Sequence, residues 1–231
     1  MVSIVMPAYN ESDIIATVVR EWHAEVIARL PSSELIVVDD CSTDGTGPVL
    51  LMLAAELPSL RVVRSERNSG HGPAVRLGIQ RATREFVFHT DSDRQHLAGE
   101  FWNLWAARAG CDFVFGVRRR RQDGAWRTFV STFMRLLNFL IWGLWIADAN
   151  CPFRLMRAEA LRTVLRRIPR DSFIPMVMVS ILARKLGMTV CEVSVTHLPR
   201  TGGQQSLKGT LTWLRVGYVC ARQLVRLRLS A

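Results

Sequence analysis

Long hydrophobic runs are missing from this sequence. The longest uncharged apolar stretches, Leu136–Ala147 and Ser172–Ala183, fall short of the roughly 18 residues that a membrane-spanning helix takes. A secretory leader is not expected either, because acidic Glu11 and Asp13 follow the apolar run Val2–Met6 almost at once. Closely spaced cysteines are absent as well: Cys41, Cys111, Cys151, Cys191 and Cys220 contain no C-x-x-C pair. That spacing argues against a zinc site and a disulfide framework, and leads to the expectation of a reducing compartment. Neither a G-x-G-x-x-G fingerprint nor a P-loop lysine is present, which excludes those two phosphate cradles.

Acidic charge is the scarcer sign. Twenty Asp and Glu stand against 30 Lys and Arg, a net charge of +10 over 231 residues. Such a balance fits nucleic acid, anionic lipid or phosphorylated ligands. The aromatic residues lie in apolar runs rather than between basic ones, so a base-stacking platform, and with it a nucleic-acid partner, is not expected. Hydrophobic residues make up 49% of the chain, enough for one good core with apolar surface to spare.

What is present is concentrated in Phe86-Val87-Phe88-His89-Thr90-Asp91-Ser92-Asp93-Arg94-Gln95-His96. An aromatic run of strand length ends in two aspartates one residue apart. Side chains alternate along an extended chain, so Asp91 and Asp93 share one side and are candidates to hold a hard cation, Mg²⁺ or Mn²⁺. A second acidic pair, Asp39-Asp40, closes the strand-like run Leu35–Val38.

The rest of the first half alternates in the same manner. Val2–Met6 reads as a strand broken by Pro7-Ala8-Tyr9-Asn10-Glu11, after which Asn10 or Ser12 is placed to cap a helix. The apolar positions of that helix, Ile14, Ile15, Val18, Val19, Trp22, Val26 and Leu30, have helical spacing. Cys41–Thr46 forms a turn into a helix over Gly47–Leu57, and Leu60–Arg64 a third strand. Asn68–Gly72 is a loop before a helix over Pro73–Ala82. This alternation implies a parallel sheet with both faces covered. Ligands bind such sheets beyond the carboxyl ends of the strands, so Tyr9/Glu11, Asp39/Asp40 and Asp91/Asp93 are expected to meet on one edge. Gly70-His71-Gly72 is a candidate phosphate loop beside them.

Four motifs carry a resemblance. Met6-Pro7-Ala8-Tyr9-Asn10-Glu11, Val37-Val38-Asp39-Asp40-Cys41-Ser42-Thr43-Asp44-Gly45-Thr46, Asn68-Ser69-Gly70-His71-Gly72 and Asp91-Ser92-Asp93-Arg94-Gln95-His96 resemble, in order and spacing, the family-two glycosyltransferases. The second half is similar to the polyprenyl-phosphate sugar transferases, the branch that includes dolichyl-phosphate mannose synthase. It carries Gly116-Val117-Arg118, Arg127 with Ser131, Asp148-Ala149-Asn150-Cys151-Pro152-Phe153-Arg154, and His197-Leu198-Pro199-Arg200. Pro152 stands where that branch has glycine, and Gly202-Gly203-Gln204-Gln205-Ser206 only approximates its R-x-x-G-E-S-K loop.

The resemblance implies an α/β GT-A nucleotide-sugar-binding fold, a Rossmann-like, mostly parallel sheet flanked by helices, with amphipathic helices at a membrane interface. It implies transfer of a sugar, with inversion, from a nucleoside-diphosphate-sugar to a polyprenyl phosphate at the cytosolic face of the membrane. On this reading Pro7, Tyr9, Glu11, Asp39, Asp40, Gly70, Asp91, Ser92 and Gln95 bind the donor, and Asp91 and Asp93 hold Mg²⁺ or Mn²⁺. Arg118, Arg127, Ser131 and Arg200 orient the acceptor phosphate. The alternative is a transferase to a sugar or lipid hydroxyl, which needs a carboxylate base, Asp148 or Asp112. Residues 1–206 are expected to form the transferase domain, with an interfacial helix within 129–147. The C-terminal segment 207–231, where Lys208, Arg215 and Arg222 recur every seven residues, is expected to be a basic helix on the membrane surface.

Overall fold

The computed structural model describes residues 1–118, 132, 135, 136, 138–199 and 210–230, without the side chains of 210–216 and 230. The first half alternates strand and helix: β1 (Val2–Ala8), α1 (Ile15–Trp22, prolonged by a π turn His23–Ile27), β2 (Glu34–Asp39), α2 (Thr46–Glu56), β3 (Leu60–Arg64), α3 (His71–Arg81) and β4 (Phe86–His89). A 3-10 turn, Ala98–Glu100, enters α4 (Phe101–Ala106), followed by β5 (Phe113–Arg118). The second half adds β6 (Arg154–Arg157), α5 (Ala158–Leu165), α6 (Pro175–Lys185), β7 (Val190–Val195) and α7 (Thr210–Ser230).

The strands form one sheet in the order β3-β2-β1-β4-β6-β5-β7. Strands β1 to β4 pair in parallel, β6 is antiparallel to both β4 and β5, and β7 is parallel to β5. Two antiparallel steps restore the direction, so every described strand except β6 ends on one edge. Every residue of β1 and β2 is buried, as a parallel sheet covered on both faces requires. One face packs Val5, Ile36 and Val38 against Val75 and Ile79 of α3, Leu161 of α5, Met178 of α6 and Leu224 and Leu227 of α7. The other packs Ile4, Met6, Leu35 and Val37 against Val18 and Trp22 of α1, Leu50 and Leu53 of α2, and Leu104 of α4.

Two sequence expectations are corrected. The residue before α1 is Ile14, and no side chain caps the helix. Asn10 sits instead in the left-handed region at φ 53°, and its Oδ1 accepts the Thr43 amide at 2.8 Å, tying the β1 exit to the β2 exit. The cysteines are not all unpaired either: Cys111 and Cys191, 80 residues apart, form a disulfide. Sequence spacing hides the pair because the β5–β7 register, which sets Cys191 opposite Val114, brings the two together.

Among the described residues no helix is long and apolar enough to cross a membrane. The α7 helix buries Cys220, Leu224 and Leu227 and leaves Tyr218, Val225 and Leu229 exposed. Its Arg228 lies over the ring of Trp142, 5.4 Å from the centroid. Trp142 and Ile146 are buried, while Phe139, Leu140 and Trp145 face outward.

At Gly72, in the first turn of α3, there is no space for a side chain: a Cβ there would stand 2.4 Å from the Ser172 carbonyl oxygen and 2.7 Å from that of Phe173. Gly72→Ala is expected to cost about 1–3 kcal/mol by overpacking, lowering the calorimetric midpoint by roughly 2–4 °C per kcal/mol. Gly45→Ala, whose Cβ meets only Ser12 at 3.5 Å, should stay within about 0.5 kcal/mol of the parent. Equal midpoints for both variants would mean that the backbone at Ser172 yields without cost.

Candidate active site

The carboxyl ends of β1 and β2 supply the first group of polar residues. Tyr9 lies at the rim, whereas Glu11 is buried and its amide donates to Thr46 Oγ1 at 2.8 Å. Asp39 is 1% exposed. Its Oδ1 accepts the Ser42 amide at 2.9 Å, but its buried Oδ2 accepts no hydrogen bond among the described residues, with Arg64 Nε 3.7 Å away. A buried carboxylate oxygen left in this state is costly unless a ligand donates to it. Asp40 acts on the backbone instead, accepting the amides of Ser69 at 3.1 Å and Gly70 at 2.8 Å. That contact fixes the glycine loop, where Gly70 takes a φ of 88° that only glycine adopts cheaply.

The second group follows β4. Ser92 Oγ donates to the Pro7 carbonyl at 2.8 Å and pins the acidic loop to the end of β1. Asp93 Oδ1 accepts the Gln95 amide at 3.2 Å. Asp91 Oδ1 is 2.9 Å from His71 Nε2 and 3.6 Å from His89 Nε2. Burial opposes ionisation of Asp91, but the charge of and hydrogen bond from His71 outweigh it and hold the carboxyl below its usual range. The His71 side chain is half exposed, and although partial desolvation disfavours its charged form, Asp91, then Asp93 and Asp40, raise its pKa above the usual histidine value. His89 is the opposite case. Burial drives it down to about 3, so the ring is neutral, and neither nitrogen makes a hydrogen bond.

The third group surrounds the end of β5. Arg118 Nε and Nη2 donate to Asp148 Oδ2 and Oδ1 at 2.7 and 2.9 Å, a buried two-pronged pair. Arg154, fully buried, donates to the carbonyls of Ala149, Cys151 and Met176 and to Ser180 Oγ. It therefore shapes the segment that carries Asp148 rather than facing a ligand. Gln95 Nε2 donates to the Leu198 carbonyl at 3.1 Å, and the Leu198 amide donates back to the Gln95 carbonyl at 2.8 Å. This exchange draws His197 to within 5.6 Å, ring to ring, of His96. His96 Nδ1 donates to the Thr196 carbonyl at 3.0 Å, and burial, then the His197 and Arg118 charges, holds its pKa near 4.

Most residues expected at the site are thus on one edge: Pro7, Tyr9, Glu11, Asp39, Asp40, Gly70, Asp91, Ser92, Asp93, Gln95 and Arg118. Asp112 is not among them. It precedes β5 at the opposite edge, and its Oδ2 accepts the Thr189 amide at 3.0 Å. Arg127, Ser131 and Arg200 lie outside the described residues. From the sequence, His71 has a place only in the glycine loop and His89 has no assigned role. For His89 the signal was there, since it lies two residues before Asp91 and alternation sets both on one side.

A family model, "Glycosyl transferase family 2", matches residues 3–165. An undecaprenyl-phosphate 4-deoxy-4-formamido-L-arabinose transferase of Pseudomonas aeruginosa is 31% identical over 207 residues, which is 88% of this chain and 59% of the relative. The corresponding protein of Edwardsiella ictaluri is 32% identical over 209 residues, 88% of this chain and 62% of its own. The chain thus spans about three fifths of the length of the curated relatives it matches.

Among solved structures, mannosyl-3-phosphoglycerate synthase from Rubrobacter xylanophilus superposes with a TM-score of 0.74 at 19% identity, covering 98% of this chain and 73% of that one. Glucosyl-3-phosphoglycerate synthase from Mycobacterium tuberculosis, in complex with Mn²⁺, UDP and glucosyl-3-phosphoglycerate, gives 0.67 at 20% identity, covering 100% and 79%. A mannosyltransferase from Pyrobaculum calidifontis with GDP-mannose and Mn²⁺ gives 0.63 at 18%, covering 99% and 73%. The fold is therefore the GT-A glycosyltransferase fold, as the motifs implied.

The His71–Asp91 pairing has a measurable signature. In metal-free protein, kept so with a chelator, His71 should titrate above the ordinary histidine value. Asp91→Asn removes the nearest negative charge and should bring that titration down. An NMR titration checks both, and a His71 midpoint indifferent to Asp91→Asn would contradict the pairing.

Proposed function

The chain belongs to glycosyl transferase family 2, and we propose that it moves a sugar from a nucleoside diphosphate to a polyprenyl phosphate. The curated relatives are named for such an acceptor, undecaprenyl phosphate. The observation that carries the reading is the state of Asp112 and Asp148, the two candidates for the base that a hydroxyl acceptor would need. Asp112 is at the wrong edge, and both oxygens of Asp148 are held by the Arg118 fork. A phosphate oxygen is already anionic at neutral pH and needs no base.

The donor half is assigned to the ends of β1, β2 and β4. Pro7 and Tyr9 are surfaces for the nucleobase, and Glu11 and the open Oδ2 of Asp39 accept from base or ribose. The loop from Ser69 to Gly72, set by Asp40, faces the diphosphate. Asp91 and Asp93 fit a divalent cation, because Asp91 is kept ionised and carboxylate oxygens suit Mg²⁺ and Mn²⁺. Bound there, such an ion neutralises the diphosphate and makes the nucleoside diphosphate a better leaving group. Gln95 keeps the acidic loop and the His197 segment together.

An oxygen of the lipid phosphate forms its bond to the anomeric carbon as the bond from that carbon to the nucleoside diphosphate breaks, with inversion. Arg127, Arg200 and Ser131 are assigned to orient that phosphate, which guanidinium forks match in geometry. Arg118, whose Nε and Nη2 hold Asp148, is assigned to it through its charge and Nη1. The lipid tail is assigned to the apolar surface of Phe139, Leu140, Trp145, Tyr218, Val225 and Leu229, edged by Arg222, Arg226 and Arg228. Exposed tryptophan beside arginine suits the interface of a membrane, here its cytosolic face.

The test is transfer from labelled nucleotide-sugars to polyprenyl phosphate in detergent, compared across variants of verified fold. Arg127→Ala removes a charge-assisted hydrogen bond worth roughly 1.5–3 kcal/mol. It should therefore cut transfer, or raise the acceptor KM, at least about tenfold, with donor affinity nearly unchanged. Asp148→Asn should fall well short of the roughly 10²–10⁴-fold loss of a missing base. A silent Arg127→Ala together with a folded but inactive Asp148→Asn would overturn the phosphate acceptor in favour of a hydroxyl.

A further inference from the structure

We infer that the cation site at Asp91 is completed by imidazole nitrogens, from His71 and His89, and that it prefers Mn²⁺ to Mg²⁺. The inference rests on the divalent-metal reading above and extends it to ligands and metal choice. One ligand atom from each of His71, His89 and Asp91 lies within 4.8 Å of the other two. Donors sharing one coordination sphere sit roughly 3–4 Å apart, given bonds of about 2.1 Å. The three arrive from different elements: His71 opens α3, His89 closes β4, and Asp91 begins the loop beyond it.

His89 is the observation that points to a ligand. Its side chain is 1% exposed, neither ring nitrogen makes a hydrogen bond, and Nε2 stands 3.6 Å from Asp91 Oδ1. A buried imidazole of this kind normally has a partner. His71 approaches the same carboxylate oxygen at 2.9 Å from the other side, and the two rings meet edge to face with centroids 5.9 Å apart. Its backbone is well fixed, because Asp40 holds the preceding Gly70 and the carbonyls of Ser172 and Phe173 close over Gly72.

The chemistry then decides between metals. Mg²⁺ demands oxygen ligands in a near-ideal octahedron and gives up water reluctantly. Two imidazoles beside a carboxylate suit a first-row transition ion better, and Mn²⁺ tolerates both donor types. The site would thus discriminate by donor atom, with Asp91 and Asp93 supplying the charge.

The probe is Mn²⁺ added alone to the purified full chain. Pulsed EPR reads nitrogen directly bound to the ion, and competition with Mg²⁺ gives the affinity ratio. The wild type should show ¹⁴N modulation. His71→Gln and His89→Phe should each weaken that modulation and lower the Mn²⁺-to-Mg²⁺ ratio about tenfold or more. His71 is on an exposed helix turn, so His71→Gln carries the test alone if His89→Phe does not fold. Bound Mn²⁺ without ¹⁴N modulation, lost on Asp93→Asn, would sink imidazole ligation and leave the carboxylate metal site standing. Failure of the wild type to bind Mn²⁺ at all would overturn both.

Discussion

Parallel strands end together, and that constraint organises this molecule. Strands β1, β2, β4 and β5 run in one direction, so their exits at Tyr9, Asp40, Thr90 and Arg118 must share an edge of the sheet. The covered faces leave that edge as the place where backbone and polar side chains can meet a ligand. Among the described strands the antiparallel β6 is the exception. It starts at this edge with Arg154, and so returns the segment carrying Asp148 to the end of β5.

Packing several charges into one rim is tolerable only when each is matched. Asp40 is matched by loop amides, Asp91 by His71, Asp148 by Arg118, and the buried guanidinium of Arg154 by three carbonyls and a hydroxyl. These pairings separate scaffold from site. Asp40 takes loop amides, Arg154 takes three carbonyls and the Ser180 hydroxyl, and both set the loops. Asp39 Oδ2 and the ring of His89 remain without hydrogen bonds although buried, and such atoms are where a donor group or a cation adds most.

Much of this was legible in the sequence because the signals were local. Alternating strand and helix patterns, each closed by a polar cluster, gave the sheet and the edge, and the third strand, Leu60–Arg64, was placed to the residue. What was not legible depended on contacts distant in sequence. Asn10 looks like a helix cap until Thr43 is brought to it by the β1–β2 pairing. The Cys111–Cys191 bond follows from the register of β5 on β7. The D-x-x-x-x-F-R run marks Asp148 and Arg154 alike, and only the fold separates them, one facing Arg118 and the other buried among carbonyls. His71 and His89, eighteen residues apart, are neighbours only because α3 and β4 converge on Asp91.

The central claim is that the nucleophile is a phosphate oxygen of a polyprenyl lipid. Phosphorus NMR of the lipid product, after incubation with a nucleotide-sugar and divalent metal, tests it most directly. The account predicts that the monoester resonance of the polyprenyl phosphate is replaced by a diester resonance coupled to the anomeric proton of the transferred sugar. Sugar incorporated into a lipid or saccharide whose phosphate remains a monoester would contradict it.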